Sequence, residues 1–278
     1  MNFIKMIEPM FIIILVAATV ITAGSAEAAP EAKKLPTIPY INRIQINADP
    51  EDWGDNGFRV EIMNALKINK WNKSTRDFMP AIKLGWNDKG LLVLITVKDA
   101  YVMGSDELEY LYLKDCVELW AGENSNGSNS YQTAVSPGTD MKNLKPNTFF
   151  WDRRTDAGSR LPLKIESAIR LTSDGYIAEV LLPWDNLGMK PKVGTQVGFQ
   201  AVIDDYDRNA KSYDEGTHAF WCPVSGPSPS EIGNMYSVIL EKKASPPVLA
   251  AGTGEYIYSK DYYSTIRASA ELTDRTIS

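Results

Sequence analysis

Leu91 to Val97, LLVLITV, is a continuous run of strand length, rich in branched side chains and closed by Lys98-Asp99. A run of that length with those residues predicts a β-strand. The tetrapeptide Asn87-Asp88-Lys89-Gly90 before it has turn chemistry, and Ile82 to Trp86, IKLGW, alternates as a second strand would. Further strands are expected at 116–121, 130–136, 147–152, 163–171, 175–183, 196–203 and 234–241. Between them lie ENSNGSN, SPGTD and TSDG, all Gly, Asn and Asp turn sequences. No long helical periodicity is present; residues 58–69, FRVEIMNALKIN, read as either a short helix or a strand. Many short strands with turn signals predict an all-β chain, folded as an antiparallel β-sandwich of immunoglobulin or jelly-roll type or as a closely related barrel.

Four segments are expected along the chain. Residues 1–28 read as a signal peptide: Lys5 precedes the apolar run FIIILVAATVI, and Ala26-Glu27-Ala28 fits a small-residue cleavage site. An uncleaved anchor is the alternative, although the run is short for a span of about 20 residues. Residues 29–39 read as a linker, 40–243 as one sandwich domain, and 244–278 as a Tyr-containing C-terminal tail with no core pattern of its own. The expected location is secreted, periplasmic or at the cell surface, with no membrane insertion after cleavage. A net charge of −6 and the lack of a basic tract argue against nucleic acid as a partner. A 44% hydrophobic content with seven Trp suffices for a sizeable core. Cys116 and Cys222 are the two cysteines; in an exported chain they either pair or stand as separate thiols, and spacing does not choose.

The stretch DCVELWAGEN (115–124) sharpens the question of function. On a strand, Val117 and Leu119 point to one face and Cys116, Glu118 and Trp120 to the other. The first pair suits a core; the second row carries a thiol, a carboxylate and an indole.

Five stretches, in order, resemble the family 9 carbohydrate-binding modules over residues 40–242. They are INADPEDWGD (46–55), AIKLGWNDKGLLVLITVKD (81–99), DCVELWAGEN, SDGYIAEVLLPWDNLG (173–188) and GTQVGFQAVIDDYDR (194–208). The resemblance implies a β-sandwich of that type and non-catalytic binding of poly- or oligosaccharide, linked to carbohydrate catabolism and to a glycoside hydrolase partner. Trp53, Trp86, Trp184 and Trp221 match the family's structural tryptophans and are read as packing residues, with Trp184 capping the sandwich mouth. Sugar binders of the family look like an aromatic clamp with a nearby Glu and Arg. Tyr112 falls where one clamp aromatic sits, and Glu118 matches the sugar-contacting Glu. The position resembling the Arg is Ala134, and the second aromatic falls near Gly226. Trp151 with Arg153 or Arg154, in FFWDRR, is the expected substitute from a neighbouring strand end.

Calcium takes several oxygen ligands from acidic loops. Asp204, Asp205 and Asp207, in DDYD, with Asp99 and Asp106, are the candidate ligands; the family often carries structural calcium, and the alternative is a solvated acidic turn. Catalytic motifs such as G-x-S-x-G, H-E-x-x-H and C-x-x-C are absent, so no enzyme is expected. Two rival readings remain. One is a haem b electron-transfer domain on the same sandwich, with Met103 and His218 as axial ligands. The other is a structural or surface protein that has lost sugar binding.

Overall fold

The computed structural model describes residues 35–60, 64–65, 78–125, 127, 129–154, 162–207, 212, 215–221 and 235–243. The elements in chain order are β1 (Thr37–Pro39), the 3-10 turn η1 (Pro50–Trp53), β2 (Phe58–Val60), β3 (Asn64–Ala65), β4 (Phe78–Trp86), β5 (Gly90–Asp99) and η2 (Leu108–Leu113). They continue with β6 (Cys116–Gly122), β7 (Ser130–Pro137), β8 (Pro146–Arg153), β9 (Glu166–Thr172), β10 (Gly175–Pro183), η3 (Trp184–Leu187), β11 (Gln196–Asp205), β12 (Thr217–Phe220) and β13 (Tyr236–Glu241). One sheet runs β1-β13-β11-β6-β7-β8, with β12 paired to β11 and β3 to β12; the other runs β2-β4-β5-β10-β9. All pairs are antiparallel except β1 with β13, which is parallel.

The two sheets form the expected sandwich, and every strand named from the sequence is found with small shifts at its ends. Thr37–Pro39, read as the end of a linker, is instead a strand: an exposed edge at β13 accepts it, so the sandwich starts before residue 40. The stretch 58–69 contributes strands β2 and β3 rather than a helix within its described part. Residues 1–34 and 244–278, Cys222 and Gly226 lie outside the described residues.

The inner faces build the main core. Val117 and Leu119 of β6 and Phe199, Ala201 and Ile203 of β11 meet Val93 and Ile95 of β5 and Val180 and Leu182 of β10. The uninterrupted run in β5 now has its reason. Leu91, Val93 and Ile95 face the core, while Leu92 and Leu94 face outward and are covered by Ile41, Ala48 and Trp53. A strand covered on both faces needs no polar alternation.

Glu179 of β10 shares that outward face and is fully buried. Its Oε2 accepts the backbone N–H of Asn47 and of Ala48, each at 2.9 Å, and its Oε1 accepts the Trp53 indole N–H at 2.7 Å. Asp49 caps η1 by accepting the Glu51 N–H at 3.2 Å. INADPEDW is therefore a strap over the second sheet, fastened by one carboxylate. Trp184 is buried as expected. Its indole N–H donates to the Asn87 carbonyl at 2.8 Å, closing the β4–β5 turn.

Candidate functional site

The outer face of the first sheet carries the row that DCVELWAGEN announced. In register, Glu118 lies opposite Ala134 of β7 and Val202 of β11. Ala134 lies opposite Phe149 of β8, and Gln132 lies between Trp120 and Trp151. Turn η2 packs over β6, β7 and β8 on this face, with Leu111 against Cys116, Ala134, Phe149 and Trp151.

Three of the expected sugar-binding residues meet here. Tyr112 of η2 and Trp151 are half-buried, with ring centroids 6.3 Å apart and planes at 58°. Phe149 meets Trp151 edge-on at 4.8 Å. Glu118 is close enough to Tyr112 that its charge, after burial and Tyr110, helps to raise the Tyr112 pKa. Arg153 follows on the same face of β8, opposite Ser130, and is half-buried, which lowers its pKa. Arg154 points elsewhere. It forks onto the Asp152 carboxylate at 2.7 and 2.8 Å and reaches the Asn186 carbonyl at 3.1 Å.

Glu118 is 3% exposed, and its Oε2 accepts from the Gln132 amide at 2.6 Å. The Asp204 carboxylate lies nearby, with its Oδ1 2.6 Å from Nδ1 of His218. Burial first, and then the Asp204 charge, push the Glu118 pKa well above its usual range. Burial raises the Asp204 pKa well above its usual range as well, so the two buried carboxyls disfavour being charged together. Nearby His218 and the Gln132 amide act against that rise at Glu118. Gln132 and the Asp204–His218 pair were not anticipated. Gln132 sits on β7 two residues from Ala134, and it gives Glu118 a donor on the strand where the family resemblance placed an Arg. His218 is buried on β12 and engaged with Asp204, while the Met103 backbone is engaged with Asp115.

A second cluster forms at one end of the sandwich. Carboxylate oxygens of Asp99, Asp115 and Asp205 lie within 4.8 Å of one another, and all three residues are buried. Asp115 accepts the Tyr206 N–H at 2.8 Å and also the Met103 N–H; Asp99 accepts the Tyr101 N–H at 2.7 Å. Burial and then the charges of Asp99 and Asp205 hold the Asp115 pKa well above the ordinary carboxylate range. Three buried carboxylates repel one another unless a proton or a cation intervenes, and an all-oxygen donor set suits a hard divalent ion. The structure thus gathers Asp99 and Asp205 and adds Asp115, which the sequence reading passed over although it opens DCVELW. The other candidates lie apart from this cluster. Asp106 binds Thr139 and the Asn147 amide (2.8 Å), Asp204 faces Glu118 and His218, and Asp207 is exposed outside the cluster.

Known proteins match this architecture. Among curated proteins, the exoglucanase XynX of Acetivibrio thermocellus is 27% identical over 183 residues, covering 66% of this chain and 16% of that enzyme. The endo-1,4-beta-xylanase C of Paenibacillus barcinonensis is 30% identical over 161 residues, covering 58% of this chain and 14% of the xylanase. The chain therefore spans only a small part of the length of these relatives. A family 9 carbohydrate binding module from Caldicellulosiruptor kristjanssonii, solved in complex with cellotriose, has a TM-score of 0.53 and 18% identity, covering 78% of this chain and 98% of that one. At that identity the likeness is one of fold. The family model described as Carbohydrate family 9 binding domain-like matches residues 51–235, the larger part of the sandwich, and the chain belongs to that family of non-catalytic binding modules.

Proposed function

We propose that the module binds poly- or oligosaccharide non-covalently on the outer face of its first sheet. The observation that carries this reading is the Tyr112–Trp151 pair, 6.3 Å between centroids, beside Glu118. Half-buried aromatic faces take the apolar C–H faces of pyranose rings, while a few fixed polar groups orient the hydroxyls. Glu118, held by Gln132, is the polar group at the floor, and Arg153 supplies a charged donor at the strand end. A family 9 module solved with cellotriose, and relatives named as xylanases, support a plant-polysaccharide ligand and a glycoside hydrolase partner in carbohydrate catabolism. The signal-like N-terminus supports export to the cell surface, periplasm or medium.

Calcium fits the residues at Asp99, Asp115 and Asp205. There it would neutralise three buried carboxylates and tie the ends of β5 and β11 to the start of β6, a structural role. The test is affinity electrophoresis against a glycan panel, with and without calcium. Wild type is expected to be retarded by at least one glucan or xylan. Tyr112→Ala and Glu118→Ala are expected to lose that retardation while keeping the native circular dichroism. Retention of wild-type mobility shifts by both variants overturns the site.

A further inference from the structure

Beyond the Tyr112–Trp151 pair, the aromatic row continues. Tyr110 lies 6.4 Å from Tyr112, centroid to centroid, with planes at 51°. Tyr110 is 50% exposed and lies outside the hydrophobic clusters of the described residues. It forms one wall of a cavity of about 570 Å³ whose other walls include Ser105, Asp106, Glu107, Lys114 and Thr139. That volume lies in the usual range for small-ligand pockets. The lining pairs one aromatic face with hydroxyls, carboxylates and an ammonium, the mixture a polyhydroxylated ring requires.

One side of the cavity is held by contacts within the protein. Gly104 is pressed against the Pro137 carbonyl so closely that a Cβ would sit 1.6 Å from its oxygen. The Ser105 N–H donates to the same carbonyl at 3.1 Å. The Asp106 carboxylate accepts from the Thr139 hydroxyl and from the Asn147 amide, tying the loop before η2 to β8 and to the turn before it. A wall held in advance loses little conformational entropy on binding.

We infer that this cavity is a second sugar subsite. A single oligosaccharide would run from the Glu118–Trp151 seat across Tyr112 and place a further pyranose unit on Tyr110. The inference rests on the sugar-binding reading of the Glu118 face, and it assigns the module a preference for a chain of several units over a single sugar.

The test is isothermal titration of the full chain with glucose, cellotriose, xylose and xylotriose. Wild type is expected to bind one trisaccharide about tenfold or more tighter than its monosaccharide, as one added aromatic contact permits. Tyr110→Ala is expected to remove about that tenfold for the trisaccharide and leave the monosaccharide unchanged. Lys114→Ala should reduce the trisaccharide alone as well, by a smaller factor. Both positions are solvent-accessible, so melting temperatures should match wild type. The inference is overturned if both variants bind the trisaccharide like wild type, or if they weaken mono- and trisaccharide equally. If wild type binds none of the four sugars, the reading of the Glu118 face fails first and the subsite falls with it. Weakening of every sugar by Glu118→Ala, beside a trisaccharide-only effect of Tyr110→Ala, separates the two seats and supports both.

Discussion

The Trp53 indole N–H donates to Glu179 Oε1 at 2.7 Å, and the same carboxylate holds the backbone of Asn47 and Ala48. One buried side chain therefore fastens the whole 46–53 strap over Leu92 and Leu94. Glu179→Ala strands three N–H donors, two of them backbone, beneath that strap. Hydrogen bonds to a charged group contribute about 1.5–3 kcal/mol each, and unsatisfied buried donors add to the loss, so a drop of about 3 kcal/mol or more is expected. Urea unfolding measures it, and Glu179→Gln should recover part. Sugar binding, on the other sheet, should be unchanged.

The same residue sets a pH dependence. Burial outweighs the three donors and raises the Glu179 pKa above its usual 4.5. A carboxyl with a raised folded-state pKa binds its proton more tightly when folded. Its contribution to stability is fully present below 4.5 and declines as the pH rises through the raised value. Glu179→Gln removes that decline. Unfolding free energies of the two proteins, measured from pH 4 upward, should diverge against wild type across that window. Parallel profiles would show that the group titrates alike in both states.

Ala134 stands opposite Glu118 but is fully buried beneath Leu111 and against Cys116. Ala134→Arg would overfill that apolar contact and bury a charge. The expected outcome is a loss of several kcal/mol, with overpacking alone typically costing about 1–3 kcal/mol. A lowered melting temperature without tighter sugar binding would show that Gln132 has taken over the partner role. A gain in affinity at unchanged stability would contradict it.

Calcium should raise the melting temperature if it occupies Asp99, Asp115 and Asp205. Ligand at one hundred times its dissociation constant stabilises by about 2.7 kcal/mol. A chelator should reverse the rise. Asp115→Asn, which keeps an acceptor for one of the Tyr206 and Met103 N–H groups and turns an amide NH2 toward the other, should abolish it. Scanning fluorimetry across a calcium titration reads both effects, and a flat response in wild type rejects the site.

Burial pushes the Cys116 thiol well above its usual pKa. In a Cys222→Ser background, Cys116 should resist a charged thiol reagent in the native state and react at once in denaturant. Native-state labelling at the denatured rate would show that the outer face of β6 opens readily.

Much of the sandwich was written locally. The run LLVLITV, the alternation around Glu118 and the Gly/Asn/Asp turns placed most strands, because a strand's period of two and its turn chemistry are short-range properties. They also put Glu118 and Trp120 on the face opposite Val117. β12 escaped notice because THAF is short and its strand character comes from pairing with β11. The same limit applied to the site. Tyr112, Glu118 and Trp151 were identifiable one by one, but the Gln132–Glu118 bond depends on the β6–β7 register.

The sequence by itself determined the strands, the faces of their side chains and the order of motifs that marks the family. The tertiary structure alone decided which side chains became neighbours. Asp99 ends β5, Asp115 precedes β6 and Asp205 ends β11, strands drawn from both sheets, and only the packing of the sandwich brings their carboxylates within 4.8 Å. Tyr110 likewise joins Tyr112, Trp151 and the wall at Thr139 only because η2 folds back over β6, β7 and β8. Periodicity tells a side chain which way to face; long-range pairing and burial, absent from any short window of sequence, tell it what it will meet.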